Sequence, residues 1–302
     1  MTDVKVIEQI PRNTYYERKG IDAFIFRIKR NPWILLTYVI LIGYAILAIY
    51  PILWMFFMSL KTNPEVHTNL FGLPHEWHWE HYVHVLSTTR VPRYIFNSAW
   101  ISLVTVAGVL FLALPAGFAF GQLKFKGSYL FFMILLSGII VPGQTTILPL
   151  FLQMKRFNLL DTPLAMIIPY IASGLPFAVF LLRGFFRTLP TELADAAVVD
   201  GASTYQVFWH VMMPLTKPAI STLIVFYFMW TWNEFLWALL VINREIYKTI
   251  TVGIYTSYQN QYMFNWPLMT TGLVIVTAPV ILIYLIFQRQ FIEGLTAGAL
   301  KG

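Results

Sequence analysis

Residues 187–218 read Arg187-Thr-Leu-Pro-Thr-Glu-Leu-Ala-Asp-Ala-Ala-Val-Val-Asp-Gly-Ala-Ser-Thr-Tyr-Gln-Val-Phe-Trp-His-Val-Met-Met-Pro-Leu-Thr-Lys-Pro218. The pattern predicts helix, turn, helix. Residues 191–200 are good helix formers with acids in the first half, and Gly201 stands where a left-handed residue would end the helix. Ser203-Thr-Tyr-Gln206 has the form of a capping box, in which Gln206 returns a hydrogen bond to the cap, and Pro214 is expected to stop the second helix about three turns later. That helix would put Val207, Phe208, Val211 and Met212 on one side. A helix pair of this kind suits either a membrane surface or the groove of a partner protein, and spacing alone favours neither.

Apolar runs flank this segment and recur along the chain. Of its 302 residues 58% are hydrophobic and only 12% charged, where a soluble domain carries roughly 25% charge. Six regions are free of Asp, Glu, Lys, Arg and His, or nearly so: 31–60, 94–123, 127–154, 162–182, 218–243 (interrupted once, by Glu234) and 249–288. Each is long enough for one membrane helix of about 20 residues. In the last, Tyr255-Thr-Ser-Tyr-Gln-Asn-Gln-Tyr262 is too polar for lipid, so that helix is expected to start near Pro267. The expectation is an all-α membrane protein with six transmembrane helices. The net charge of +7 does not point to nucleic acid, because the basic residues sit beside the apolar segments rather than in separate clusters. With no cysteine, disulfides, thiol catalysis and Cys-ligated metals are excluded.

Lys and Arg accumulate on the cytoplasmic side of membrane proteins. With the N-terminus inside, fourteen of the 21 basic residues fall on inner segments and seven on outer loops. Both termini are therefore expected in the cytoplasm, a conclusion that leans on the seven basic residues of the tail, residues 1–32. Within that tail, residues 20–30 interleave Ile21, Phe24, Ile25 and Ile28 with Arg27, Lys29 and Arg30. They would suit a short helix on an anionic leaflet, although an ordinary positive flank of the first span explains them more simply. The first apolar run is too long for a signal-peptide core.

Several residues inside or between the spans carry candidate chemistry. Glu234 is the one carboxylate inside a span, a functional candidate by default. It suits lining of a pathway or bracing of the fifth helix through Asn233; proton coupling in a secondary transporter is the alternative, and such relays usually have several polar partners. Tyr170, Tyr227, Trp230, Trp232 and Asn233 are candidate pathway walls, since sugar sites combine aromatic faces with a few fixed polar groups, but rings inside a bundle more often pack. Five of the six histidines, His67, His75, His78, His81 and His84, crowd the first outer loop. The spacing His78-x-x-His81-x-x-His84 could present imidazoles to zinc or copper. An interfacial loop anchored by Trp77, Trp79 and Tyr82 is the preferred reading, with no metal site.

Asp195-Ala-Ala-x-x-Asp200-Gly201-Ala202, followed by Phe208 and Met213-Pro214, closely resembles the EAA loop of bacterial ABC-importer permeases. Phe96-Asn-Ser98, Trp232-Asn-Glu-Phe-Leu-Trp237 and the tail Gln288-Arg-Gln-Phe-Ile-Glu-Gly-Leu-Thr-Ala-Gly-Ala-Leu-Lys-Gly302 resemble the carbohydrate-importer branch, specifically the maltose-type second permease. Asp195 stands where that family usually has Glu, and Met213 where it usually has Leu. The resemblance implies a type I ABC importer permease domain over residues 33–302, with the coupling loop at about 187–218 and a cytoplasmic tail at 288–302. It implies that Glu192, Asp195, Ala196, Ala197, Asp200, Gly201, Ala202, Phe208 and Pro214 meet a cytoplasmic ATPase, and that Gly294, Gly298, Lys301 and Gly302 in the tail share that coupling. The implied partners are a related permease forming a heterodimer, two ATPase subunits and an extracytoplasmic solute-binding protein, in the cell (inner) membrane of a bacterium or archaeon. The chain lacks a G-x-x-x-x-G-K-[ST] run, so it has no P-loop; ATP and magnesium would belong to the ATPase chains, and no catalytic residue is expected here. Related permeases also carry glycerol phosphates or uronate oligomers, so the cargo is expected to be a sugar or oligosaccharide, with such a solute as the alternative.

Overall fold

A computed structural model describes residues 33–259 and 265–299, the last eleven as backbone only. The basic tail at 1–32, the polar residues at 260–264, and Lys301 and Gly302 lie outside the described residues. The chain divides into two units, at Met1–Trp54 and Met55–Gly302.

The first unit contains most of α1 (Trp33–Ser59), a continuous apolar helix of 27 residues with Pro51 inside it. The second begins with the last turn of α1 and two short helices, α2 (Asn63–Thr68) and α3 (Glu80–Thr88), then the long α4 (Val91–Gln122). A sharply bent pair follows, α5 (Ser128–Ile140) and α6 (Gly143–Arg156), then α7 (Leu164–Phe186). After α7 come the two loop helices, α8 (Thr191–Val199) and α9 (Thr204–Leu215). The chain continues through α10 (Lys217–Asn233), α11 (Leu236–Val241), α12 (Ile250–Gln259) and α13 (Trp266–Ala299). Four described helices are long and apolar enough to cross a bilayer, α1, α4, α7 and the Trp266–Gln288 part of α13; counting each bent pair as one crossing makes up to six. The last helix starts one residue before Pro267 and its helical backbone runs on to Ala299, through most of the expected tail.

Two expected spans are not single helices. The third breaks at Val141-Pro142, where the axes turn through 98°. Proline offers no N–H and pushes the residue before it to extended backbone, and Val141 and Pro142 are both extended, with ψ of 116° and 125°. The fifth stops at Asn233 instead of continuing to Asn243. In an unbroken helix the N–H groups of Trp237 and Ala238 would bond to the carbonyls four residues back. Here the Glu234 carboxylate takes both, at 2.8 and 3.1 Å, and Thr251 Oγ1 donates to the freed Glu234 carbonyl at 2.9 Å. A shorter helix, α11, is nucleated beyond the break.

The centre of the second unit is the contact of α4 with α7. Gly117-Phe-Ala-Phe-Gly121 places two glycines one turn apart on the facing side of α4. A Cβ on Gly117 would lie 2.6 Å from Leu182 Cβ, and one on Gly121 2.8 Å from Phe186 Cβ, so the backbones approach as only small residues allow. Val109, Ala113, Phe118, Leu182, Phe186 and Leu223 build the core around this seam. The loops divide into two ends. At one, called the Asp161 face, Ser59 in the last turn of α1 meets Tyr82 of α3 and Thr271 of α13, α4 begins, and residues 242–249 cross. At the other, the Gly201 face, Gln122 Nε2 donates to Phe186 O at 2.5 Å and α8 and α9 lie.

Candidate functional site

On the Gly201 face the helix-turn-helix forms as its residues dictate. Asp200 closes α8 and Gly201 follows with φ +86°, the left-handed backbone that glycine adopts without steric cost. The Ala202 N–H returns to Ala197 O at 2.9 Å. Ser203 caps α9: its hydroxyl accepts from the Gln206 N–H at 3.4 Å, and Gln206 Oε1 accepts from the Ser203 N–H at 2.8 Å. The second helix ends one residue past Pro214, close to where that proline is expected to stop it. A π-helical stretch, Val207–Met212, precedes Pro214 and accommodates the residue without an N–H. The helical backbone continues to Leu215, and the chain turns 73° into α10 at Thr216.

The two helices differ in burial. Val207, Phe208 and Met212 enter the core, with the Phe208 ring 5.2 Å from Phe118. No residue of α8 is buried. Ala194, Ala197 and Ala202 pack partly inward, while Glu192, Asp195, Ala196, Asp200 and Gly201 are exposed together with Leu193, Val198 and Val199. Glu192, Asp195 and Asp200 make no ion pair among the described residues. The expected coupling residues thus separate into an anchor, Phe208 with Ala197 and Ala202, and an open face. Pro214 is exposed beside the turn into α10. Gly294 and Gly298 lie on the helical backbone of α13.

The candidate pathway residues meet at the break after α10. Tyr170 donates to Glu234 Oε2, and its ring meets Trp230 edge-on at 5.4 Å. Trp237 Nε1 donates to Ala165 O at 2.9 Å, joining α11 to α7. Tyr227 is buried and donates to Gly174 O at 2.5 Å. Trp232 is buried too, stacked on Phe228 at 5.6 Å and bonded to Val276 O of α13 at 3.2 Å. Tyr227 and Trp232 therefore hold helices together, while Trp230 and Asn233 are exposed and Glu234 is half-buried. The Asn233 amide turns back to its own helix at Met229 O, 2.8 Å away. Bracing at this point comes from Glu234 itself.

On the Asp161 face the histidines have separate partners. His75 Nδ1 lies 2.7 Å from Glu65, His78 Nδ1 2.5 Å from Glu80, and His81 Nδ1 2.9 Å from Ser59 O. Among the described residues no three His, Cys, Asp or Glu side chains are grouped to hold a metal ion. Trp77 and Trp79 are stacked at 6.3 Å, and Phe56 at the end of α1 packs against Trp79. Burial opposes ionisation of Glu65, but the backbone and side-chain hydrogen bonds of His75 and the amide of Asn69 outweigh it and hold the carboxyl below its usual range. Burial pushes the Lys61 ammonium down against the pull of Glu65, and Lys61 Nζ donates to Asn69 O at 2.5 Å.

Sequence reasoning passed over Asp161. It sits in a turn with two left-handed residues, Asn158 (φ 55°) and Asp161 (φ 59°), types that tolerate this backbone better than most. Its carboxylate accepts the N–H groups of Asn243 and Arg244 at 2.5 and 3.0 Å, and its own N–H donates to Val241 O at 2.9 Å. Two residues of this kind before Thr162-Pro163 were a legible turn signal.

Comparison with known proteins agrees with this architecture. The family of binding-protein-dependent transport system inner membrane components matches residues 113–296. The arabinooligosaccharides transport system permease protein AraQ of Halalkalibacterium halodurans is 32% identical over 91% of this chain and 100% of its own. The trehalose transport system permease protein SugB of Mycobacterium tuberculosis is 32% identical over 87% and 95%. The diacetylchitobiose uptake system permease protein NgcG of Streptomyces coelicolor is 29% identical over 88% of each. A bacterial ABC transporter involved in import of the acidic polysaccharide alginate contains a chain of the same fold, with TM-score 0.76 and 24% identity over 91% of this chain and 99% of that one. The chain belongs to the family of binding-protein-dependent transport system inner membrane components, the membrane permease subunits of ABC importers.

Proposed function

We propose that this chain forms half of the translocation pathway of a carbohydrate importer, paired with a related permease and worked by two ATPase subunits bound at its Gly201 face. That face is then cytoplasmic, as the basic-residue count favours, and a solute-binding protein delivers a sugar or oligosaccharide to the Asp161 face. The names of the relatives support a carbohydrate cargo.

The observation that carries the reading is the unequal burial of α8 and α9. Phe208, Val207 and Met212 fix α9 in the core that joins α4, α7 and α10, while α8 offers Leu193, Val198 and Val199 to a partner, with acids that form no ion pair among the described residues. Movement of a bound ATPase would reach the spans through Phe208. ATP and magnesium stay on the ATPase, and this chain's own work is to bind, transmit and open. The tail around Gly294 and Gly298, with Lys301 and Gly302, would add a second contact on the same side. The pathway would run past the exposed Trp230 and Asn233.

Glu234 as a proton carrier is the weaker reading, because its oxygens already cap α11 and receive Tyr170. The test is uptake of labelled disaccharides and oligosaccharides by proteoliposomes holding the complex purified from its native cell with its binding protein. Uptake should need ATP inside and ignore a protonophore. Uptake that survives ATP depletion and collapses with a protonophore overturns the reading.

A further inference from the structure

The segment at 242–249 crosses the Asp161 face between α11 and α12, and the start of α4, the turn before α7 and α12 itself hold it. At one end Asp161 Oδ1 accepts from the N–H groups of Asn243 and Arg244. At the other, Asn97 Nδ2 donates to both Ile246 O and Lys248 O at 2.9 Å, and Ser98 Oγ accepts from the Ile250 N–H at 2.9 Å. Between them Tyr94 donates to Glu245, and Lys248 Nζ bonds Glu245 Oε2 at 2.6 Å and Thr256 Oγ1 at 2.9 Å. Asn97 and Ser98 are buried, and Ile250 is fully so. The bonds of Asp161, Asn97 and Ser98 satisfy main-chain groups with side chains; Asn243 and Arg244 at the Asp161 end are exposed, while opening a bond of the buried Asn97 or Ser98 leaves a buried polar group unpaired, at about 1–3 kcal/mol apiece.

We propose that Asn97, Ser98 and Asp161 are positioning residues that clamp residues 242–249 into one rigid rim with the start of α4 and the turn before α7, so that this face opens around the rim and not through it. The Phe96-Asn-Ser98 motif then has a physical role: its amide serves two carbonyls of a segment about 150 positions away in the chain, and its hydroxyl receives the N–H that starts α12. In a transport cycle the rim would travel as a body with α4 and α7, whose glycine seam already joins them.

The inference takes from the importer reading only that the Asp161 face is the outward one. Its test is amide hydrogen exchange of the peptides covering 242–250, measured on the full chain in nanodiscs with the partners that co-purify, at rest and after trapping with ATP and vanadate. If no ATPase accompanies the chain, the exchange of the resting protein is still read, so failure of the importer reading and failure of the clamp are distinguishable. The wild-type amides of Asn243, Arg244 and Ile250 should be protected to within about twofold in both states, while Asp161→Ala and Ser98→Ala should exchange about tenfold faster or more at their own ends. Asp161→Asn and Ser98→Thr keep an acceptor oxygen and should restore protection and, at equal amounts of assembled complex, uptake. Free exchange of these amides in the wild-type protein in either state overturns the proposal without any variant, as does unchanged protection in both Asp161→Ala and Ser98→Ala.

Discussion

Tyr170 of α7 donates its hydroxyl to the carboxylate of Glu234, which also receives the N–H groups of Trp237 and Ala238 in the first turn of α11. Three donors, one hydroxyl and two main-chain N–H groups, converge on its two oxygens. The contact ties α7 to the point where the fifth span is interrupted, so that α10 and α11 can differ in direction without exposing bare backbone.

For that reason Glu234→Gln should keep most uptake, because its remaining oxygen can still cap α11, whereas Glu234→Ala should cost about 1–3 kcal/mol of stability and lower the amount of folded chain. Thermal unfolding in detergent and uptake per folded molecule measure the two effects. A proton carrier would behave differently, with Glu234→Gln inactive and Glu234→Asp partly active.

Gly201→Asp should abolish uptake while the chain still inserts and folds. A Cβ at this position meets nothing within 4 Å, so no internal clash is created. The cost is the left-handed backbone, about 1–2 kcal/mol for most residues, together with a charged side chain on the open face of the loop. Gly201→Asn, which tolerates this backbone better and carries no charge, should retain more uptake. Comparing ATP hydrolysis with sugar uptake at equal expression measures the uncoupling.

Gly117→Ala should destabilise the bundle by about 1–3 kcal/mol, the usual cost of overpacking, because its Cβ would press on Leu182 Cβ at 2.6 Å and the neighbouring backbone cannot retreat. Gly184→Ala, where a Cβ meets nothing within 4 Å, is the control and should unfold like the wild type.

The Glu65 carboxyl is held below its usual range in the folded chain. A depressed carboxylate contributes stability that is fully present above the unfolded value, about 4.3 for Glu, and is lost as pH falls through the folded one. Unfolding temperature should therefore drop on acidification below about pH 4.3, and Glu65→Gln should flatten that drop while lowering stability near neutral pH.

Most of the helix pair at 191–215 was legible in the sequence, because its signals are local. Gly201 after a good helix former, and Ser203 with Gln206 three positions on, each fix a backbone choice within a few residues. The apolar segments were legible as well, since burial in lipid needs only length and the absence of charge. What the sequence concealed are choices that depend on distant partners. Glu234 reads as a buried charge, and only the fold shows Tyr170 beside it and α11 beginning above it. Pro142 is visible in the sequence as a residue that can break a helix, but its 98° turn depends on how α5 and α6 are accommodated by the rest of the bundle. The Gly117-x-x-x-Gly121 spacing is visible in the sequence, but its meaning lies in the approach of Leu182 and Phe186. Tyr227 and Trp232 look like pathway rings by type, yet the structure buries both.

The central claim is that α8 is the seat of a separate ATPase, and the absence of cysteine makes it directly measurable. Ala196→Cys would be the only thiol on this chain, placed on the exposed side of α8. After treatment of native membranes with a bifunctional thiol–amine cross-linker, mass spectrometry should find it joined to a chain carrying a P-loop, while Ile246→Cys on the opposite face should not be. Cross-linking of the ATPase through Ile246→Cys and not through Ala196→Cys, in membranes that import sugar, would contradict the account.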